Sequence, residues 1–164
     1  MSAISLGAPR QGWIKGQYDN AKLDLNFDRP NATVQGEVEN SMVSLHNDAD
    51  KSTITGSARN RQVDLTYEWS PEHQHYQGQA VGGNVNFDVD YSNHTVLGST
   101  GDSAINVRFD DNSATGNAGG PVDVHVTQDG HLTGVLCGKN LDAQTANVEM
   151  GQMLSNIFLF APGT

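Results

Sequence analysis

Seven glycines recur along this chain at nearly constant spacing, and that repeat constrains the fold more than any other feature. Gly16, Gly36, Gly56, Gly78, Gly98, Gly116 and Gly134 stand 20, 20, 22, 20, 18 and 18 residues apart. Two places before them come Ile14, Val34, Ile54, Tyr76, Val96, Ala114 and Leu132. Seven places after them come Leu23, Val43, Val63, Val85, Ile105 and Leu141; the sixth copy is one residue short and reaches Val122. A unit of this length hides its apolar face only against neighbouring copies, so the repeat predicts the architecture.

Each copy holds two alternating segments. In "STITGSA" the apolar or small positions are Ile54, Gly56 and Ala58, and in "QVDLTYEW" they are Val63, Leu65, Tyr67 and Trp69. A period of two marks strands with one face buried. Facing Ala58 with Val63 makes Asn60 and Arg61 the central turn residues. The same register puts Asn20-Ala21, Asn40-Ser41, Gly82-Gly83, Asp102-Ser103 and Gly138-Lys139 in the other turns. The first place is always Asn, Asp or Gly, the residues that tolerate a positive φ, as tight hairpins demand. Antiparallel hairpins are therefore expected, joined by "RPN", "NDADKS", "SPEHQ", "YSNH", "DDNS" and "TQDGH". In this register Gly16, Gly56, Gly78 and Gly98 face Leu25, Leu65, Phe87 and Val107. Either the bulky partner covers the glycine, or something approaches the sheet closely there.

The expected fold is all-β: an antiparallel up-and-down meander of about 13 short strands, in seven hairpin repeats of about 20 residues, forming a closed or partly closed barrel. Thirteen tilted strands close to a backbone diameter of about 26 Å, leaving about 16 Å between inward side chains. A helix about 10–12 Å across suits that gap. The tail supplies one. Ala146, Met150, Met153, Leu154, Ile157 and Phe158 follow helical spacing, with Asp142 as N-cap and Pro162 as stop. The reading is a single domain over 1–164, with the meander at 11–141 and an apolar C-terminal helix at 142–161, packed on or inside the barrel. A flattened sandwich with the helix over one end is the alternative.

Charge narrows the partners. Asp and Glu number 19 against 9 Lys and Arg, a net charge of −10. Nucleic acids and anionic membranes call for a basic footprint, which this composition lacks. No run approaches the ~18 apolar residues of a spanning helix, so no transmembrane segment is expected. "MSAISLGAPRQGW" has no basic segment leading into an apolar run. A cytoplasmic location is thus the default expectation, with leaderless secretion or a removed leader as alternatives. The single cysteine, Cys137, permits no internal disulfide.

Chemistry is sparse. The predicted registers align Glu68, His75 and Asp90 in one outward row beside His73. Two carboxylates and an imidazole can hold Zn²⁺ or Mn²⁺, although cross-strand charge pairing accounts for the same row without an ion. The Asp pairs "NDAD", "DVD" and "FDD" match no calcium loop. Cys137 with His125 or His131 supplies the elements of a nucleophile and base, but parity puts all three outside with Cys137 several residues away. No nucleophile elbow, zincin helix or phosphate loop is present in the sequence. The expectation is a non-catalytic scaffold or binding protein, without a cofactor beyond a divalent metal, presenting an acidic polar face and loops to a protein or small-molecule partner. A hydrolase-like enzyme with a site at one barrel mouth is a second reading. A self-assembling subunit that pairs through free sheet edges into a homo-oligomer is a third.

Overall fold

The computed structural model describes residues 11–28, 31–81 and 83–159. The strands run β1 (Gln11–Tyr18), β2 (Ala21–Asp28), β3 (Thr33–Val38), β4 (Ser41–Asp48), β5 (Thr53–Ala58), β6 (Arg61–Trp69) and β7 (His73–Ala80). They continue with β8 (Gly83–Asp90), β9 (Thr95–Thr100), β10 (Ser103–Phe109), β11 (Ser113–Ala118), β12 (Pro121–Val126), β13 (His131–Leu136) and β14 (Lys139–Ala146). One helix, α1 (Met150–Ile157), follows. Each strand pairs antiparallel with its chain neighbours, and β1 pairs with β14, closing the barrel. The meander and its C-terminal helix stand as expected. Among the described residues there are fourteen strands, two from each hairpin, rather than about thirteen.

The extra strand residues come out of the expected helix. Asp142 is no N-cap: it lies mid-strand, paired with Gln17 on one side and Thr133 on the other. Leu141 and Ala143 point inward while Asp142 and Gln144 are exposed, the alternation of a half-buried strand. Closing the barrel gives both edges of this segment a partner, which outweighs its helical spacing. The helix is capped instead at Glu149, without a side-chain bond. Pro162, the expected stop, lies outside the described residues.

The hairpin register also shifts. Ala58 pairs with Arg61, not Val63, so the turn is Arg59-Asn60, with φ of 53° and 66°. Asp19-Asn20 and Glu39-Asn40 repeat that geometry. Both turn positions are left-handed, as a two-residue turn matching strand twist requires, and Asn takes the second place rather than the first. The glycines shift accordingly: Gly56 stands opposite Val63 within its hairpin and opposite Leu45 of the strand before.

Gly56 itself has φ 144°, a conformation that side chains resist. A Cβ there would run into the Ser44 carbonyl oxygen and stand 3.0 Å from the Leu45 Cα. Gly78 meets the Asp64 carbonyl in the same way. What comes closest is the neighbouring backbone, and the Leu65 side chain at Gly78 and the Phe87 side chain at Gly98 crowd the same space. Glycine kinks of this kind let a sheet curve tightly enough to close.

Among the described residues the interior is predominantly apolar. Met150, Met153, Leu154, Ile157 and Phe158 are all buried, as are the polar Gln152 and Ser155 of the same helix. Phe158 meets Phe87 of β8 edge-on, with ring centroids 6.4 Å apart. Ile157 packs among Tyr18, Leu23, Val38, Leu136 and Leu141, which belong to β1, β2, β3, β13 and β14. A helix that touches both β8 and the β1–β14 seam lies inside the barrel, not over one end. It enters where the long loops gather, with Gly151 against the Tyr91 ring. It ends among the tight turns, where the Leu159 carbonyl accepts a hydrogen bond from the Val81 amide at 3.2 Å.

Candidate functional site

Alternation pushes the ionisable groups outward, and the ladder decides which of them meet. Glu68 of β6 pairs with His75 of β7, as the sequence predicts. On the other side His75 pairs with Asp88, while Asp90 pairs with His73. The row is thus Glu68, His75 and Asp88, and the predicted Asp90 sits two residues further along β8. Its carboxylate is occupied elsewhere. Asp90 accepts the Ser92 and Asn93 amides at 2.9 and 3.0 Å and the Asn93 side chain at 2.8 Å. Those Asn93 bonds hold its carboxyl below the usual range.

Asp88 is the centre of the cluster. One of its oxygens, Oδ1, lies 2.7 Å from His75 Nδ1 and 3.0 Å from His73 Nε2. His75 is partly covered, while His73 and Asp88 are exposed enough to meet solvent. A hydrogen bond joins His75 to Asp88, and His73 stands at ion-pair distance from the same oxygen. Among the described residues no group of three or more His, Cys, Asp or Glu is arranged to coordinate a metal. A second pair, His131 Nε2 and Asp142 Oδ1, stands 2.7 Å apart on β13 and β14.

Two features escaped the sequence reading. The first is a cap on each long-loop turn. Asp28, Asp48, Asp90 and Asp110 each accept backbone amides of the next few residues, and Ser70 and Thr127 do the same. Their recurrence, about one per repeat, was a signal available beside the glycines. Much of the acidic character at that end is therefore structural.

The second lies at the tight-turn end. Glu39 accepts Arg59 Nη1 at 2.9 Å and Lys139 Nζ at 3.1 and 3.2 Å, tying together turns 100 residues apart in sequence. Burial pushes the Glu39 carboxyl up, but the Arg59 and Lys139 bonds prevail and leave it lowered. Beside them Tyr18 donates to the Leu136 carbonyl at 2.7 Å, and Lys139 stands over its ring. Cys137 is buried here at φ 56°, and burial pushes its thiol up to about 12. Parity had placed it outside. It is a covered thiol at the opposite end of β13 from His131, too far from that imidazole for the two to act as nucleophile and base.

Comparison with models of known protein families, with characterised proteins and with solved structures finds no match to this chain.

Proposed function

We propose that this protein is a non-catalytic scaffold or binding module whose partner meets the polar outer face and the long loops at one mouth of the barrel. One observation carries the reading: the space where a barrel would hold a ligand is filled by the chain's own helix. Around Ile157, between Tyr18, Leu23, Val38, Leu136 and Leu141, there is no room even for a water molecule. Outward positions such as Lys22, Asn26, Ser44, Asp64, Gln77, Asn86 and Asn106 are polar. That is the inverse of a barrel facing lipid. Among the described residues no helix is long and apolar enough to cross a membrane.

The assembly reading loses its premise, because β1 and β14 pair and the described strands leave no free edge. For the binding reading, labelled protein is probed against peptide and glycan arrays, alongside a variant with the exposed loop residues Asp50, Lys51 and Glu72 replaced by Gly and Ser. Binding that disappears in the variant while its melting temperature holds supports the reading. Turnover in a panel of ester, peptide and glycoside substrates would replace it with the enzyme.

A further inference from the structure

Two turns at the long-loop end repeat one arrangement in chemical detail. Asp28 accepts the Asn31 backbone amide at 3.2 Å and its side-chain amide at 2.8 Å. Asp90 does the same for Asn93, at 3.0 and 2.8 Å. In both turns the next residue is left-handed, Ala32 at φ 55° and His94 at φ 56°. In both, a threonine then opens the next strand, Thr33 for β3 and Thr95 for β9. Asn31-Ala32-Thr33 and Asn93-His94-Thr95 thus have the Asn-x-Thr form, with no proline between, that asparagine-linked glycosylation reads. We propose that Asn31 and Asn93 are acceptors for asparagine-linked glycans, added by a membrane-bound oligosaccharyltransferase.

Capping accounts for the asparagine of each turn but not for the threonine. Asp110 caps the β10–β11 turn by accepting the Asn112 amide, yet two places after Asn112 stands Ala114, which has no hydroxyl. Asn112 therefore serves as an internal control. In the transfer, the Asn side-chain nitrogen attacks C1 of a lipid-linked sugar diphosphate. A nitrogen–carbon bond forms and the carbon–oxygen bond to the diphosphate breaks. The lipid diphosphate leaves, and the amide proton passes to a carboxylate of the transferase. One N–H remains on the nitrogen, enough to keep the bond to Asp28 or Asp90, so the folded turn accommodates the product. Both asparagines are exposed, as a bulky solubilising group requires. Six strands separate the two turns one way round the ring and eight the other, so the glycans flank the mouth from nearly opposite sides. The reaction requires the chain to cross a membrane, which agrees with the removed-leader alternative rather than the cytoplasmic default.

The test isolates the full-length protein from the cells that make it and records its intact mass before and after an amidase that removes asparagine-linked glycans. The expected result is the loss of two glycan masses, with peptide mapping assigning them to Asn31 and Asn93 and leaving Asn112 unmodified. Thr33→Val and Thr95→Val each remove one glycan while retaining the Asn–Asp cap, whereas Thr33→Ser and Thr95→Ser keep it. Thermal melting shows whether each variant is folded, and the wild-type peptide map needs no variant. A mass equal to that of the unmodified chain, or glycans that survive both valine substitutions, overturns the proposal.

Discussion

At the scale of single residues, backbone geometry dominates. Asn60 occupies a left-handed position at φ 66°, so Asn60→Gly is expected to be neutral or stabilising. Asn60→Val should cost about 1 kcal/mol or more, read from urea denaturation. Gly56→Ala faces both a forbidden φ and the Ser44 carbonyl, and is expected to lose about 1–3 kcal/mol or more. Wild-type stability in that variant would show that the strand can relax away from its neighbour. Glu39 adds a pH dependence. Its folded carboxyl is lowered, so its contribution is fully present above the unfolded value of ~4.3 and is lost as pH falls through the folded one. Glu39→Gln should therefore be less stable than wild type near neutrality, with the gap narrowing in acid. A gap independent of pH would assign the effect to packing.

Among the elements, the helix is the one that local propensity supports least. It spans only eight residues, Met150–Ile157, carries Gly151 and has no side-chain cap. Helices this short are marginal alone, so packing against the barrel wall stabilises it. Phe158 is fully buried against Phe87. Phe158→Ala is expected to cost about 3–5 kcal/mol, measured by chemical denaturation. A loss under 1 kcal/mol would mean that the wall collapses onto the gap. The repeated hairpins behave differently, since each closes on a turn that its own residues favour. Their pairing was legible in the sequence, whereas their register was not. A positive-φ residue at either turn position satisfies the same local rule, and only the ladder between hairpins selects Arg59-Asn60 over Asn60-Arg61.

For the molecule as a whole, the helix and the closed sheet depend on each other. A chain ending at Ala146 keeps every strand but exposes the inward faces of Leu25, Phe87, Val107 and Leu132 to the vacated lumen. That chain is expected to unfold without a cooperative transition and to bind a hydrophobic dye, as molten states do. Cooperative melting at the wild-type temperature would show that the sheet stands alone. The amino-acid order by itself determined the all-β class, the seven hairpins and an apolar C-terminal helix, because periods of two, 3.6 and about 20 are local properties of the chain. It also placed Glu68 and His75 on the outward face of neighbouring strands, but its parity put Cys137 outside, whereas the structure buries it. Tertiary structure decided the rest. Closure recruited Lys139–Ala146 as the fourteenth strand and drew the helix within the wall. Register brought Asp88, not Asp90, to His75. Glu39, Arg59 and Lys139 met because the barrel's two ends join. Contacts between residues up to 100 positions apart follow from a ring being closed, and no local pattern in the chain encodes that.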